Sequence, residues 1–587
     1  MIEANLFGPL VTPASVIFRL WAPQAQRVAL VHHTTHDMPR ADDGWFKLTI
    51  PGAVPGDRYR FRVDDEIEVP DPASRFQPDD IHGASEVVDE AYDWQTPGWY
   101  GRPWHECVFL ELHVGAFTGQ GTFRGVIDKL DHVAAAGFTA IELMPVADFA
   151  GRWNWGYDGV LLYAPDSTYG RPEDLKALVD AAHQRGLMVF LDVVYNHFGP
   201  EGNYLARYAP EFFMPADTPW GSAIDYRVPE VRRFAVENAL HWLGDFRFDG
   251  LRLDAVHAIA EPGRSILLQE MSEAAGRLAA ETGRHIHLVL ENDANQARLL
   301  DPWTDPPRGK YRAQWNDDYH HAFHVLLTGE TAGYYSDYRE PAPHIARTLA
   351  EGFAYQGEPS PHRQGETRGE PATALPATAF VNFLQNHDQI GNRALGERLS
   401  ALAPAEGLEA ALAITLLGPG PPLMFMGDEW GTRRPFPFFC DFKGALADAV
   451  RDGRHREFAE AYARYQDDVP DPLLERTFRK AALDWAAIDT PEHRARLDLV
   501  RRLLAARKSF VIPRLSQLRP GPGRAELIDG VLLAIWFIRS GEVLSLLANL
   551  NSGARPSPES FQPGEPVWGG QPPLSLPPWS VYAAIGG

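Results

Sequence analysis

The stretch FDGLRLDAVHAI, residues 248–259, places an arginine and an aspartate inside an otherwise apolar run. Side chains of a strand alternate between its two faces, so Arg252 and Asp254 share one face while Leu251 and Leu253 take the other. A guanidinium two residues away favours an ionised carboxylate. A buried ion pair with a purely structural role would give the same pattern. We interpret the pair as chemical because other acids occur at comparable positions.

A second acid, Glu291 in LVLENDAN, follows a run of apolar residues, and we expect burial to raise its affinity for a proton. A charged carboxylate beside a protonated one is the arrangement that glycoside cleavage uses. In a retaining mechanism the two groups stand roughly 5 to 5.5 Å apart, one as the nucleophile and the other as the acid/base. Two further acids end apolar runs, Asp192 in DVVYNH and Asp388 in FLQNHDQIGN.

Eight apolar runs, most of them separated by segments of helical length, predict the strands that carry these acids. The runs span residues 108–114, 140–146, 187–196, 248–255, 287–293, 311–317, 379–388 and 422–429. An eightfold alternation of strands and helices predicts a (β/α)8 TIM barrel. The acids stand at the carboxyl ends of the predicted strands, where such barrels build their active sites.

The 587 residues and 45% hydrophobic composition are those of a multidomain globular protein. Short alternating runs predict an N-terminal β-sandwich over residues 1–97, and similar runs predict a C-terminal β-sheet domain over residues 511–587. The barrel would occupy residues 98–510, with an insertion at about 198–228 that could wall one side of the cleft. The Pro- and Gly-rich tract 352–371 predicts a mobile surface loop.

The formal net charge of -23 argues against nucleic acid and membrane surfaces as partners and favours a neutral substrate. Two cysteines, far apart in the chain, argue against a disulfide framework and predict a cytoplasmic location. The first residues show no signal-peptide pattern, and no apolar run approaches the roughly 20 residues of a membrane span. No spacing matches a zinc site, so we expect catalysis without a metal or another cofactor. The sequence does not decide whether the protein binds a structural calcium ion.

The clusters DVVYNH, GLRLDAVH, ENDAN and LQNHDQ resemble, in this order, the four signature regions of the α-amylase superfamily of glycoside hydrolases. The resemblance runs from about residue 105 to the end of the predicted barrel. It implies that Asp254 is the nucleophile, that Glu291 is the acid/base and that Asp388 holds sugar hydroxyls at the transition state.

The same resemblance implies a set of substrate-binding residues. NWGYDG is similar to the family's aromatic platform, with Tyr157 stacking on the sugar and Asp158 steadying nearby polar groups, although a loop tyrosine that caps the core is the alternative. WNDDYHH suits sugar hydroxyls, and a solvated loop is its alternative. The predicted set is Tyr157, Asp158, His197, Arg252, His257, Asn316, Asp317, Asp318, His320, His321, Asn386, His387 and Gln389.

The run FRLWAPQAQRVALV resembles the immunoglobulin-like sandwich, of carbohydrate-binding-module type, that precedes the barrel in glycogen-branching, debranching and trehalose-releasing members. LDVVYNHFGPEGNYL, QWNDDYHH and PFFCDFKG are most similar to trehalose-releasing members. The implied substrates are maltooligosyl trehalose, cut at the α-1,4 bond next to its terminal trehalose, and related α-glucans. Ala258 follows His257 where many amylases have Lys-His after the nucleophile, which argues against ordinary starch specificity. The alternatives are a glycogen-branching or debranching enzyme and a non-catalytic glycan-binding protein.

Overall fold

A computed structural model gives the fold, and it describes residues 6–218, 221–304, 308–460, 463, 468–519, 521, 523–558, 561 and 564–586. The first five residues of the predicted sandwich and residues 219 and 220 of the predicted insertion lie outside the described residues, as do several positions of the predicted C-terminal domain. The exact domain boundaries stay a prediction.

The N-terminal region consists of two antiparallel sheets. Its strands are β1 (Leu10–Thr12), β2 (Ser15–Trp21), β3 (Val28–His32), β4 (Thr34–Asp37), β5 (Trp45–Pro51), β6 (Arg58–Val63), β7 (Ile67–Val69) and β8 (Ser85–Glu86). One sheet has the order β1-β2-β5, and the other has the order β4-β3-β6-β7 with β8 paired to β6. Phe18, Leu30 and Phe61 are fully buried within the region's core, in agreement with the predicted sandwich.

The central region is the predicted barrel. Its strands are β9 (Phe109–Leu112), β10 (Ala140–Leu143), β11 (Ala147–Asp148), β12 (Leu161–Pro165), β13 (Met188–Val193), β14 (Phe213–Thr218), β15 (Gly221–Ile224), β16 (Gly250–Leu253), β17 (His287–Leu290), β18 (Ala313–Trp315), β19 (Glu358–Pro359), β20 (Thr367–Arg368), β21 (Phe380–Phe383) and β22 (Pro422–Phe425). A closed barrel has the order β10-β13-β16-β17-β18-β21-β22-β9 with parallel pairing throughout. Each of the eight predicted runs contains one barrel strand, so the fold prediction is confirmed.

Helices surround the barrel. Through the central region they are α1 (Val114–Phe117), α2 (Phe123–Ile127), α3 (Leu130–Ala136), α4 (Pro172–Gln184), α5 (Pro229–Leu240), α6 (Gly263–Thr282), α7 (Asp317–Thr328), α8 (Pro341–Glu351), α9 (His387–Gly391), α10 (Leu399–Leu402), α11 (Ala405–Leu417), α12 (Gly444–Glu457), α13 (Glu475–Ala481), α14 (Pro491–Ala506) and α15 (Ile512–Leu515). Pro172 starts α4 as predicted, and Asp174 accepts a hydrogen bond from the main-chain N–H of Arg171 at 3.0 Å. Within the described ranges, no helix combines the length and the apolar composition that crossing a bilayer requires.

An apolar layer fills the barrel interior below the carboxyl ends of the strands, and its members include Phe109, Phe190, Val289, Trp315 and Phe383. Gly250 opens β16 at the tightest point of this layer. A Cβ atom there would lie 2.2 Å from the ring of Phe190 and 2.5 Å from the carbonyl oxygen of His287. Only glycine therefore lets β16 approach its neighbours closely enough to close the barrel.

The insertion after β13 packs on the N-terminal region. The main-chain N–H of Gln24 donates to the carbonyl oxygen of Tyr208 at 3.3 Å, and the rings of Trp21 and Phe212 lie 5.7 Å apart. The insertion therefore joins the sandwich to the barrel. Its prediction as a wall of the cleft stays a prediction.

A C-terminal sheet completes the fold. Its strands are β23 (Arg524–Ile528), β24 (Val531–Phe537), β25 (Val543–Asn549), β26 (Arg555–Pro556), β27 (Glu565–Trp568), β28 (Ser575–Leu576) and β29 (Val581–Gly586). The main antiparallel sheet has the order β23-β24-β25-β29-β27. Trp536 on β24 donates from Nε1 to the carbonyl oxygen of Leu349 on α8 at 3.0 Å, which ties the sheet to the barrel.

Asp249, the residue before β16, is fully buried and anchors that strand. Its carboxylate accepts hydrogen bonds from Trp99 Nε1 at 2.7 Å, His183 Nε2 at 2.9 Å and the main-chain N–H of Val189 at 2.9 Å. Burial opposes its negative charge, but the charges of His183 and Arg284 and these hydrogen bonds outweigh burial and lower the pKa of Asp249.

We expect Asp249→Ala to destabilise the protein by about 3 kcal/mol, because it leaves buried donors without their acceptor. The measurement is the apparent melting temperature of the full chain. Asp448→Ala is the control, because Asp448 is 77% exposed and lies 3.5 Å from Arg451 in a surface ion pair. Equal melting temperatures for the two variants would show that Asp249 does not anchor β16.

Candidate active site

One guanidinium holds three carboxylates at the carboxyl end of the barrel. Arg252 Nη1 lies 2.7 Å from Asp254 Oδ1 and 2.8 Å from both carboxylate oxygens of Asp192. Its Nη2 lies 3.1 Å from Glu291 Oε2. The guanidinium also stacks over the ring of Trp315 at 4.1 Å, which fixes its plane. Asp254 and Glu291, which the sequence predicts as the catalytic pair, therefore both contact one cation.

Strand register explains this convergence. β13, β16 and β17 are neighbours in the barrel, and Asp192 on β13 is in register with Arg252 on β16. Asp254 and Glu291 are the first residues beyond β16 and β17, so both lie at the same end of adjacent strands. The side chains of Asp254 and Glu291 are 13% and 19% exposed, whereas that of Arg252 is 2% exposed. Both acids thus retain access to solvent above a buried cation.

Asp254 and Glu291 share one cation and titrate as a coupled pair. Burial raises the pKa of Asp254 well above its ordinary value, and the charge of Glu291 adds to this effect. Burial also opposes ionisation of Glu291, yet the pKa of Glu291 is lowered. The opposing causes are the charges of Arg252 and His257 and the main-chain N–H of Ala255, which donates to Glu291 Oε2 at 2.6 Å. The expectation of an ionised Asp254 beside a protonated Glu291 stays a prediction.

Tyr157 and His387 form a second group of contacts beside Asp192. His387 pairs through Nδ1 with Glu111 on β9, and its Nε2 lies 2.9 Å from the hydroxyl of Tyr157. That hydroxyl donates to Asp192 Oδ2 at 2.5 Å, and the rings of Tyr157 and His387 stack with centroids 5.2 Å apart. Burial lowers the pKa of His387, but Glu111 outweighs burial and raises it. Glu111 is not among the predicted site residues, and its only signal in the sequence is a charged residue within the apolar run VFLELHV.

Asp388 is the residue after His387. It lies in the first turn of α9, and its Oδ1 accepts a hydrogen bond from Asn392 Nδ2 at 2.6 Å. Burial raises the pKa of Asp388, as does the charge of Glu291, while His387 lowers it. The side chain of Asn386 is buried and caps α9 by accepting the main-chain N–H of Asp388 at 2.9 Å. Its predicted contact with a substrate stays a prediction.

Several other predicted residues also lie around the acids. His257 Nδ1 lies 3.3 Å from the main-chain nitrogen of Asp293. Burial raises the pKa of Asp317, as do the charges of Glu291 and Asp293, and Gln389 Nε2 donates to Asp317 Oδ1 at 3.4 Å. These contacts place His257 and Asp317 near Glu291, and Gln389 beside Asp317. Their role in substrate binding stays a prediction.

Asp158 and His197 support the loop that carries Tyr157. Asp158 Oδ2 accepts from Asn154 Nδ2 at 2.7 Å, and burial raises the pKa of Asp158. His197 is 5% exposed, and its Nε2 lies 2.9 Å from the carbonyl oxygen of Tyr157. Both residues therefore position Tyr157, and a direct contact with sugar stays a prediction for them.

Most of the WNDDYHH segment packs inside the protein, and the substrate-binding role of Asn316, Asp318 and His320 stays a prediction. All three are fully buried. Asn316 Nδ2 donates to Gly352 O at 3.0 Å and to Asn382 Oδ1 at 2.9 Å. His320 Nε2 lies 3.0 Å from the hydroxyl of Tyr335. Asp318 accepts hydrogen bonds from the main-chain N–H groups of Ala354 and Tyr355.

His321 is 8% exposed, and its ring lies 4.7 Å from the ring of Tyr334 and 5.0 Å from that of Tyr338. The sequence could not distinguish these positions, because α7 begins at Asp317 and turns successive side chains to different sides.

Residues 357–367 of the tract 352–371 are mostly exposed, which agrees with a surface loop, and the mobility of the tract stays a prediction. The tract folds back through β19 and β20, and Arg368 on β20 is 4% exposed. Arg368 lies 3.0 Å from Asp293 Oδ1 and 2.8 Å from Asp318 Oδ1, and Arg363 also pairs with Asp293. Asp293 stands two residues after Glu291. The tract therefore braces the segment that carries the acid, through arginines whose partners are remote in sequence.

Family models match two parts of the chain. The model described as the alpha amylase catalytic domain matches residues 89–211, and that of carbohydrate-binding module 48, the isoamylase N-terminal domain, matches residues 6–74. A malto-oligosyltrehalose trehalohydrolase of Deinococcus radiodurans is 44% identical, with 85% of this chain and 82% of that protein covered. The enzyme of the same name from Saccharolobus solfataricus is 39% identical, with 86% and 87% covered.

A solved structure agrees with these matches. A Salmonella typhimurium protein provisionally assigned to the alpha amylases superposes with a TM-score of 0.94 at 44% identity, with both chains fully covered. Fold and site together define a glycoside hydrolase of the α-amylase superfamily with an N-terminal carbohydrate-binding module. Within that superfamily, the chain belongs to the malto-oligosyltrehalose trehalohydrolases.

We expect Glu111→Gln to reduce stability in a pH-dependent way, because it removes the charge that raises the pKa of His387. The ion pair contributes fully below the ordinary histidine pKa of about 6.5 and is lost as pH rises through the raised pKa. The difference in melting temperature between wild type and variant should therefore be larger at about pH 6 than at about pH 9. A difference that is the same at both values would contradict the charged state of His387.

The control is Glu475→Gln, which removes a surface partner of Arg479 with 44% exposure. No histidine is part of that pair, so its small effect should not change over the same pH range.

Proposed function

We propose that this chain hydrolyses the α-1,4-glucosidic bond next to the terminal trehalose of maltooligosyl trehalose, with retention of configuration, and releases trehalose and a maltooligosaccharide. The observation that carries the proposal is the position of Asp254 and Glu291 on one guanidinium at the ends of adjacent strands. Membership of the trehalohydrolase family supports the choice of bond.

In the first step the Asp254 carboxylate attacks the anomeric carbon of the glucose at the cleavage site. The bond from that carbon to the oxygen of trehalose breaks, and Glu291 gives its proton to this oxygen, so that trehalose leaves as a neutral alcohol. In the second step Glu291 takes a proton from water, and the oxygen of that water replaces Asp254 at the carbon. Two inversions give net retention.

The first step requires the proton on Glu291, whereas Glu291 has a lowered pKa in this structure. A sugar bound against Glu291 removes water from a side chain that is 19% exposed. This desolvation disfavours the charged form. Movement of the carboxyl from the N–H of Ala255 to the glycosidic oxygen removes a hydrogen bond that stabilises the anion. Both effects raise the pKa of Glu291, and Arg252 then balances an ionised Asp254.

Three further residues would hold the sugar at the cleavage site. Asp388 begins α9 beside the acids and would accept hydroxyl groups of the ring. Tyr157 is partly exposed and stacks on His387, so its other face would support a sugar. The protonated His387 would donate from Nε2 once its contact with Tyr157 is exchanged for a sugar hydroxyl. These roles agree with those that the family resemblance implies.

The site of action would be the cytoplasm. Cys107 and Cys440 are both buried and free in the structure. Neither is placed to stabilise a secreted domain through a disulfide, which favours a reducing compartment.

Incubation with maltooligosyl trehalose tests the proposal. We expect release of free trehalose with wild type, and a loss of about a hundredfold or more in rate with Glu291→Gln, on the order of 3 kcal/mol of transition-state stabilisation. The matched control is Glu492→Gln, because Glu492 is 69% exposed on the outer helix α14. Its rate should equal that of wild type.

Other products would overturn the proposal in distinct ways. New α-1,6 branch points on amylose without trehalose would assign a branching enzyme. Equal rates for wild type and Glu291→Gln would remove Glu291 from the chemistry. No product from trehalose-capped or plain maltodextrin would leave a glycan-binding protein.

A further inference from the structure

The turn between β3 and β4 of the N-terminal sandwich places a histidine in an unusual conformation. β3 ends at His32 and β4 begins at Thr34, and these two residues are paired in register, so His33 alone makes the reversal. Its φ is +49°, in the left-handed region that favours glycine. Histidine is among the non-glycine residues that are enriched in this region, so the turn can carry it. The contacts of its imidazole then decide what the residue could bind.

The imidazole meets two other metal-ligating side chains. His33 Nε2 lies 3.4 Å from Asp57 Oδ1, and His32 Nε2 lies 2.9 Å from Asp57 Oδ2. One ligand atom from each of the three side chains lies within 4.8 Å of the others. Ligands of tetrahedral zinc, at about 2.0 to 2.2 Å from the ion, lie roughly 3.4 Å from one another. The His33–Asp57 spacing already matches this value, and the His32–Asp57 spacing of 2.9 Å would have to lengthen slightly.

Two of the three side chains are already fixed. His32 is 5% exposed, and its ring packs against Phe18 at 5.9 Å and against His33 at 4.3 Å. Asp57 Oδ2 accepts the main-chain N–H of Val54 at 3.0 Å. The carboxyl group of Asp57 therefore presents one oxygen to each of the two imidazoles.

His33 provides access to solvent. Its side chain is 72% exposed, so an ion could reach the three ligand atoms and keep a water molecule at a fourth position. The other cluster of this kind within the described residues, Glu90 with His241 and Asp245, differs, because Arg75 Nε pairs with Glu90 at 2.7 Å. The guanidinium of Arg75 therefore already occupies the carboxylate of Glu90.

We propose that His32, His33 and Asp57 form a site for a zinc ion, or another divalent transition-metal ion that accepts imidazole and carboxylate ligands. The ion would join the β3–β4 turn to the segment that precedes β6 and would stabilise the N-terminal sandwich. Two imidazoles and one carboxylate with an open fourth position suit zinc. The site lies on the sandwich, so it is independent of the function proposed for the barrel.

Equilibrium dialysis of the full chain against Zn²⁺ tests the site, with metal counted per chain. We expect wild type to retain one equivalent more than His33→Ala, and Zn²⁺ to raise the melting temperature of wild type but not of the variant. Substitution of His33 removes an exposed ring and should not disturb folding. Asp57→Asn, which keeps the shape of the side chain, should lose the same equivalent.

The matched control is His36→Ala on β4. His36 lies three residues beyond His33, and its Nε2 bonds to the hydroxyl of Thr34 at 2.8 Å rather than to Asp57. This variant should retain the full zinc uptake. Bound Co²⁺ should give the intense visible absorption of a tetrahedral ion in wild type and His36→Ala only.

Equal zinc uptake by wild type and His33→Ala would overturn the proposal and leave His32 and Asp57 as a hydrogen-bonded pair only. The rate of trehalose release should be the same in wild type and His33→Ala. Failure of the zinc site would therefore leave that activity intact, and absence of that activity would leave the zinc measurement valid.

Discussion

A single buried guanidinium contacts three carboxylates that it cannot fully neutralise, and the active site depends on this imbalance of charge. Arg252 contacts Asp192, Asp254 and Glu291 and is itself 2% exposed. One positive charge cannot balance three buried negative charges, so the group favours holding a proton. Acid/base chemistry needs this condition, because a carboxyl that gives up a proton must regain one at neutral pH. The stacking of Arg252 on Trp315 keeps the cation in a position where all three acids reach it.

The barrel provides that arrangement through strand register rather than through loop contacts. Asp192 and Arg252 pair across β13 and β16, and the ends of β16 and β17 deliver the other two acids to the same level. The close approach of β16 depends on Gly250 and on the buried anchor Asp249. Packing at the base of the barrel thus determines the geometry of the charges at its carboxyl end.

Parts of the chain far from the signature motifs complete the site. Glu111 pairs with His387 and raises the pKa of that histidine. Arg363 and Arg368 hold Asp293, two residues beyond Glu291, so a tract with no regular sequence pattern restrains the acid. The positions and the protonation of the acids therefore depend both on the strand ends and on segments that contact them only in the folded protein.

The sequence alone determined the eight strands, the flanking β regions and the strand-end position of Asp254 and Glu291, because hydrophobic periodicity and strand alternation are local properties. Asp388 lies beyond the end of β21, in the first turn of α9. The sequence could not determine protonation, because the pKa of Glu291 depends on the N–H of Ala255 on a neighbouring strand end. Nor could it separate Asp317, beside the acids, from Asp318, buried under the tract 352–371. Both are acids in one polar segment, and only helix phase and long-range packing decide which of them faces the acids.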